Sequence, residues 1–165
     1  VNKPIDELIK AIEQFYGVDT ANSEGYGKII NERQWHRLVG YFVDGNIVYG
    51  GKSDASNLYI EPTLITDVAV DSKIMQDEIF GPILPILTYD SNEAALEIIQ
   101  RNPNPLAFYV FTNDVATEQY WLTNVPSASP VILLFPMGRL PAIGIVPSTL
   151  TLSDSASCTS ASIEL

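Results

Sequence analysis

The chain has 165 residues, of which 46% are hydrophobic and 18% are charged, a composition that suits a globular domain with a sizeable core. Its 20 acidic and 9 basic residues give a formal net charge of -11, which argues against nucleic acid and anionic membranes as partners, because both need clustered cations. No apolar run approaches the roughly 20 residues of a membrane span and no signal pattern begins the chain, so a cytoplasmic protein is expected.

A single cysteine and a single histidine limit the chemistry further. With Cys158 alone, neither an internal disulfide nor a thiolate metal cluster is possible. His36 falls in a predicted helix, where we expect a partly exposed side chain and not a member of a triad or a metal site. We therefore predict no metal.

Two helices are predicted in the first part of the chain. Apolar residues recur at helical spacing from Pro4 to Tyr16, and Gly17 suits the end of that helix. Asn31 can cap a second helix over about residues 32–42. The apolar face of that second helix consists of Trp35, Leu38, Val39 and Phe42.

Short strands follow these helices. Asn46 to Tyr49 reads as a strand that ends at Gly50-Gly51. Leu58 to Thr66 is rich in β-forming residues, but Pro62 interrupts it, which predicts an edge strand or a strand with a break.

A carboxylate and an aromatic residue stand out in the segment Gln76–Pro82. Glu78 and Phe80 precede Gly81 and Pro82, and an apolar run comes next. Glycine permits backbone angles that other residues resist and proline fixes φ, so the turn would hold both side chains at a strand entrance, where ligands often bind. The alternative is a solvated carboxylate with Phe80 in the core.

The next stretch alternates strands and helices. Ile83 to Tyr89 is nearly all apolar, which predicts a strand buried on both faces. Ser91 can cap a helix to about residue 101, Leu106 to Phe111 forms a second buried strand, and Asp114 caps a helix to about residue 123. This alternation is typical of an α/β sandwich with a largely parallel sheet.

The composition changes after residue 126. Ser127 to Leu165 has only three charged residues and is rich in Ser and Thr. Pro130 to Phe135 could form a buried strand, but prolines interrupt the residues after it. We therefore divide the chain into a domain over residues 1–126 and a separate segment over 127–165. The prolines are Pro136, Pro141 and Pro147.

Five segments, in their order and spacing, resemble the catalytic domain of aldehyde dehydrogenases. They are Tyr26–Arg33, Ile47–Gly51, Tyr59–Leu64, Gln76–Pro82 and Pro105–Phe111. The resemblance is to the class 3 and fatty aldehyde dehydrogenase branch, and it covers about residues 1–127, a partial catalytic domain. The rest of the chain diverges from the family pattern.

The resemblance implies an activity and two residue roles. It implies oxidation of aliphatic, fatty or aromatic aldehydes to carboxylic acids, with a cysteine thiolate as nucleophile and NAD or NADP as cofactor. Glu78 would bind the hydroxyls of the nicotinamide ribose, because a carboxylate accepts two hydrogen bonds from a vicinal diol, and Phe80 would pack near the nicotinamide ring. Asp77 stands where many relatives have glutamate. A homodimer is a further family expectation.

Other parts of the family pattern do not occur in this sequence. Cys158 lies in a context unlike the family's nucleophile segment, and Gly50-Gly51 is a turn and not a phosphate cradle. The family's glycine-rich C-terminal segments do not occur after Ser127, for which a shifted frame, an alternative exon or a junction is our hypothesis. We expect a segment that is inactive alone. The alternative is a noncatalytic module derived from the family that acts only through protein–protein interaction.

Overall fold

The computed structural model describes residues 3–101, 107–112, 114–125, 129–133 and 142–146. These residues belong to two compact units, residues 1–88 and residues 89–165. Cys158 and the three prolines at 136, 141 and 147 lie outside the described residues, as does most of the proposed 127–165 segment. The division at residue 126 stays a prediction.

Helix α1, Lys3–Tyr16, confirms the first helix prediction. Gly17 ends it with φ at 76°, and its amide donates to the carbonyl of Glu13 over 2.9 Å. The apolar face is only partly covered, since Ile5 is buried whereas Leu8 and Phe15 are 37% and 60% exposed.

Helix α2, Glu32–Val39, begins at the predicted cap. The Asn31 side chain accepts a hydrogen bond from the amide of Gln34 over 2.9 Å, which satisfies one of the helix's free donors. The α-helix ends at Val39 and continues as a tighter 3-10 turn, Gly40–Val43, so the predicted helix to about residue 42 is confirmed in extent but changes type in its last turn. That turn places Tyr41 in the core beside Leu38, both with no exposed surface. His36 is exposed.

Three strands form the larger sheet of the first unit, in the order β1-β4-β5. Strand β1, Asn46–Tyr49, is antiparallel to β4, Thr63–Thr66, whereas β5, Ile83–Pro85, is parallel to β4. A smaller ladder pairs β2, Ser53–Asp54, with β3, Tyr59–Ile60. The predicted break at Pro62 is confirmed, because it separates β3 from β4. Helix α3, Lys73–Gln76, precedes β5.

The predicted end of the first strand at Gly50-Gly51 is also confirmed, since β1 ends at Tyr49. Both glycines have positive φ, at 77° and 87°. A Cβ atom on Gly50 would clash with the carbonyl oxygen of Pro62, so the close approach of the two chain segments needs glycine here.

The core of the first unit lies between α2, the β1-β4-β5 sheet and the residues around α3. Tyr26 connects the loop after α1 to this unit, since its hydroxyl donates to the carbonyl of Ile60 over 2.6 Å and its ring packs edge-on against Tyr16. The buried members of the core are Leu38, Tyr41, Ile60, Ile65, Val68, Ile74, Ile79 and Ile83.

The predicted strand over Ile83–Tyr89 is wrong in length and in burial. Strand β5 ends at Pro85, and Leu84 is 40% exposed while Ile83 is buried. Successive strand side chains point to opposite faces, so Ile83 and Leu84 lie on opposite faces of the sheet. The chain after Pro85 still follows β4, because the amide of Ile86 donates to the carbonyl of Ile65 over 2.8 Å.

The second unit, residues 89–165, contains two capped helices. Ser91 caps α4, Asn92–Gln100, and Asp114 caps α5, Val115–Asn124, as predicted. Each cap accepts a hydrogen bond from the backbone amide three residues later, of Ala94 or Thr117.

One sheet completes the second unit, with β6, Ala107–Phe111, in its centre. Strand β7, Ser129–Leu133, is parallel to β6 and lies where the sequence predicts a strand. Strand β8, Ala142–Val146, is antiparallel to β6 and was not predicted, since prolines on both sides favoured a break. The core of this unit includes the buried residues Ala95, Ile99, Phe108, Val110, Trp121 and Val125.

The α/β class that the sequence predicts is confirmed, and the sheets are parallel in part. Among the described strands, β4 with β5 and β6 with β7 are the parallel pairs. No helix in the described part of the chain is both long and apolar enough to cross a membrane.

Candidate functional site

The loop between α3 and β5 carries both predicted site residues. We call residues 77–82 the Glu78 loop. Its first amide, from Asp77, donates to the carbonyl of Lys73 over 3.1 Å, and its last carbonyl, of Pro82, accepts from the amide of Thr63 over 2.8 Å. Both ends of the loop are therefore tied to regular structure in the first unit.

Two residues of the loop pack against the core. Ile79 is 9% exposed and belongs to the core cluster. A Cβ atom on Gly81 would lie 2.6 Å from both terminal carbons of Leu38. Our prediction that Gly81 supplies unusual backbone angles is wrong, because its φ is not positive; the site needs glycine because Leu38 fills the space.

Arg37 in α2 and Tyr41 in the turn that follows α2 are four residues apart, and both contact the Glu78 loop. The Arg37 guanidinium donates from Nη1 to the carbonyl of Glu78 over 3.0 Å and from Nη2 to the carbonyl of Ile79 over 2.5 Å. Nη1 also donates to the Tyr41 hydroxyl over 2.6 Å, and that hydroxyl donates to the Asp77 carboxylate over 2.8 Å.

The electrostatics keep Tyr41 in its donating form. Burial raises the pKa of Tyr41, and its hydrogen bond to Asp77 raises it further, while Arg37 opposes both effects. The phenol therefore stays protonated at neutral pH and donates to the Asp77 carboxylate, which fixes the first residue of the Glu78 loop.

Glu78 and Phe80 are exposed side chains of the loop, as is Asp77, whose carboxylate is bonded by Tyr41. The Glu78 side chain is exposed, and its carboxylate has no hydrogen-bond partner within the described residues. Phe80 is 66% exposed and has φ at 44°, a left-handed conformation that costs a bulky residue energy. The alternative reading of Phe80 as a core residue is wrong, because Ile79 and not Phe80 points into the core.

The motif Tyr59–Leu64 has a structural role in this unit. Glu61 is buried, and its carboxylate accepts from the amide of Lys52 over 3.2 Å and pairs with the Lys52 ammonium over 3.3 Å. The Thr63 hydroxyl accepts from the amide of Gly51 over 3.0 Å. These contacts join Gly51 and Lys52, just before β2, to Glu61 and to Thr63 at the start of β4.

A shallow surface pocket of about 460 Å³ lies away from the Glu78 loop, and no residue of that loop lines it. Its lysines already have contacts: Lys28 donates to the carbonyl of Ala21 over 3.0 Å and lies over the Tyr59 ring, and Lys52 pairs with Glu61. We do not assign this pocket to the site. In the described part of the chain, no three histidine, cysteine or acidic side chains are grouped to hold a metal.

An exposed carboxylate and an exposed aromatic ring, two residues apart on a loop with fixed ends, suit a ligand with hydroxyl groups and a flat ring. This surface sits on an α/β scaffold at the start of a parallel strand. The scaffold therefore belongs to the α/β class, and the Glu78 loop is its candidate site for a small molecule.

Comparison with known proteins gives the family. The model of the aldehyde dehydrogenase family matches residues 2–132. Human aldehyde dehydrogenase family 3 member B1 is 42% identical over 120 residues, which are 73% of this chain and 26% of the relative. The chain belongs to the aldehyde dehydrogenase family, and class 3 members are among its relatives.

Solved structures of the family share the fold. The substrate-bound state of AldH from Staphylococcus aureus is 43% identical, with a TM-score of 0.73, and the match covers 78% of this chain and 28% of that one. The Mycobacterium tuberculosis aldehyde dehydrogenase complexed with NAD+ is 29% identical, with a TM-score of 0.61, over 85% of this chain and 32% of that one. This chain therefore spans about a third or less of these proteins.

Sequence reasoning found Glu78 and Phe80 but missed Arg37 and Tyr41. The structure brings all four to one loop. The four-residue spacing of Arg37 and Tyr41 in a predicted helix was a usable signal that both face one side. That spacing does not predict the partners of Arg37, Glu78 and Ile79, which lie 41 and 42 residues further along the chain.

Proposed function

We propose that this chain is a segment of an NAD- or NADP-dependent aldehyde dehydrogenase, in which Glu78 binds the nicotinamide ribose and Phe80 packs near the nicotinamide ring. The observation that carries this proposal is the Glu78 loop itself. Its backbone is tied to α2, α3 and β4, while only the Glu78 and Phe80 side chains are presented without a partner from the core.

The two side chains fit the cofactor chemically. The carboxylate of Glu78 has two oxygens without donors among the described residues, as a vicinal diol requires. Phe80 offers an exposed ring in a conformation that is costly for an aromatic residue, and such strain concentrates at functional sites. If a nicotinamide cofactor were bound here, it would supply the hydride acceptor that oxidation of an aldehyde requires.

The role of this chain's residues in that reaction is orientation. Rate depends on holding the reacting atoms within a narrow range of distance and angle, which a rigid loop achieves better than a mobile one. The described residues include no cysteine, so the nucleophile that adds to the aldehyde does not lie among them. We therefore expect the isolated chain to bind the cofactor weakly and not to turn over aldehyde.

Aliphatic, fatty or aromatic aldehydes are the proposed substrates of the complete enzyme, in keeping with the class 3 relatives. We also propose a cytoplasmic location and a homodimer. These parts of the proposal rest on the family and on composition, and no residue of the Glu78 loop bears on them.

A noncatalytic module that acts through protein–protein interaction is the second candidate. It is favoured by the apolar side chains that the first unit exposes, since Val18, Ile30 and Val43 are 82%, 85% and 86% exposed. Such residues gain stability when a protein surface covers them. Under this reading the chain binds another subunit and has no response to nucleotide.

Thermal unfolding of the 165-residue chain with and without NAD or NADP separates the two candidates. A ligand at 100 times its dissociation constant adds about 2.7 kcal/mol to the free energy of unfolding, so a bound cofactor raises the midpoint. We expect that rise for the wild type and for Glu24→Gln, which removes an exposed charge elsewhere in the first unit. Glu78→Gln should reduce it. If neither NAD nor NADP changes the unfolding midpoint of the wild type, the noncatalytic module is favoured.

A further inference from the structure

The Arg37 side chain stands out because all of its visible contacts serve one loop and its own helix. The guanidinium donates to two successive carbonyls of the Glu78 loop, those of Glu78 and Ile79. The guanidinium also donates from Nε to the side-chain oxygen of Gln34 over 2.6 Å and from Nη1 to the Tyr41 hydroxyl. The guanidinium is therefore hydrogen-bonded both to its own helical segment and to the Glu78 loop.

Holding two successive carbonyls fixes two successive peptide planes. The Glu78 carbonyl belongs to the peptide that joins it to Ile79, and the Ile79 carbonyl belongs to the peptide that joins it to Phe80. The orientation of these planes sets the direction in which Glu78 leaves the backbone and limits φ of Phe80, which is 44°. The contact therefore acts on the two exposed side chains without touching either one.

We propose that Arg37 is a positioning residue, which holds the Glu78 loop in the shape that presents Glu78 and Phe80 to the nicotinamide half of the cofactor. This inference rests on the proposed function. Tyr41 supports Arg37 by accepting one of its hydrogen bonds and by donating to Asp77 at the start of the same loop.

The geometry requires arginine and not merely a positive charge. A guanidinium presents its N–H groups in a flat, rigid fork that can reach two carbonyls at once, whereas a lysine ammonium is a single point on a flexible stem. Arg37→Lys therefore keeps the charge and loses the simultaneous hold on Glu78 and Ile79.

Loss of Arg37 should change the conformation of the Glu78 loop more than it changes the free energy of unfolding of the first unit. The loop stays attached through Ile79 in the core and through the amides of Asp77 and Thr63. Water can replace the guanidinium at the Glu78 carbonyl, since that contact is exposed. Loss of Arg37 is thus expected to free the middle of the loop while the unit stays folded.

Amide hydrogen exchange and nucleotide binding, measured on the same 165-residue variants, test the inference. We compare Arg37→Lys and Tyr41→Phe with the wild type, and with Arg33→Lys, an exposed arginine on the same helix, as the matched control. Arg37→Lys should raise the exchange rates of amides 78–81 and weaken NAD binding, each by about tenfold, the change expected when a charge-assisted hydrogen bond is lost. Its unfolding midpoint should stay close to that of Arg33→Lys.

The outcomes separate this inference from the proposed function. If the hydrogen-exchange rates of amides 78–81 are the same in Arg37→Lys as in the wild type, the inference is overturned, whether or not NAD affinity changes. Faster loop exchange with unchanged NAD affinity also overturns it, because the loop shape would then not matter for binding. Faster loop exchange together with a wild type that binds no nucleotide overturns the proposed function, and it leaves Arg37 only as the residue that holds the loop. Tyr41→Phe keeps the packing of the ring and decides the matter if Arg37→Lys fails to fold.

Discussion

Leu38 occupies the space in which any residue larger than glycine at position 81 would place its Cβ atom. Both terminal carbons of Leu38 lie 2.6 Å from that point, and Leu38 has no exposed surface into which it could move. The close approach joins α2 to the Glu78 loop and explains why a glycine stands there with an ordinary backbone conformation.

Gly81→Ala should therefore destabilise the first unit by about 1–3 kcal/mol, the usual cost of forcing an extra carbon into a packed core. Urea unfolding measures the loss. Gly27→Ala is the matched control, because a Cβ atom at that position meets nothing within 4 Å. Equal stability of the two variants would mean that the loop shifts away from Leu38 without cost.

Phe80→Gly should leave stability unchanged or raise it by up to about 1 kcal/mol, since glycine relieves the left-handed strain and the lost ring is mostly exposed. The same variant should lose much of the NAD response. Leu58→Gly is the matched control, because Leu58 also has positive φ, at 51°, but lies outside the Glu78 loop. A Phe80→Gly chain that responds to NAD like the wild type would remove Phe80 from the site.

Asn31→Ala should lower the free energy of unfolding by about 1 kcal/mol, because it removes the side-chain acceptor for the Gln34 amide at the start of α2. Asn31→Asp keeps an acceptor at the cap and should retain the stability of the wild type. Urea unfolding of the three chains gives the comparison. A loss of equal size in both variants would contradict the capping role.

Stability should fall as pH rises above about 10, the ordinary pKa of tyrosine. Burial raises the pKa of Tyr26, and also that of Tyr41 and Tyr49. Below that pH each phenol is protonated in both the folded and the unfolded chain, so these groups do not make the free energy of unfolding depend on pH. Above it the unfolded chain loses protons that the folded chain keeps, and the free energy of unfolding decreases.

Tyr26→Phe tests this pH dependence. The variant should be less stable by about 1 kcal/mol at neutral pH, because the hydrogen bond to Ile60 is lost. Its stability should then decline less steeply than that of the wild type as the pH rises through about 10, since one of the responsible groups is absent. Parallel curves from chemical unfolding across that interval would contradict the assignment to Tyr26.

Local signals in the sequence were sufficient for most helices and for the breaks between strands. Asn31, Ser91 and Asp114 each cap the helix that follows them, and Pro62 separates two strands. These features depend on the chemistry of a few neighbouring residues, so they can be predicted without knowledge of the rest of the chain.

Features that depend on distant partners were not predictable. Position 81 requires glycine because Leu38 fills the space beside it, and the carbonyl next to Phe80 is bonded by Arg37, which lies 42 residues from Ile79. Leu84 is 40% exposed although its neighbours in sequence are apolar, because apolar composition alone does not determine which side chains other elements cover. The prediction that Glu78 and Phe80 contact the cofactor came from the family resemblance and stays a prediction.

The contacts of Arg37 also determine when the Glu78 loop can form during folding. They connect residues that are 41 and 42 positions apart, so this stretch of chain must close before they exist. Closing a long stretch costs entropy before any contact compensates for it. The loop is therefore expected to order after α2 and its sheet have met, and to open before they separate. A chain released part-way through folding would have its helices and yet lack the surface that Glu78 and Phe80 make.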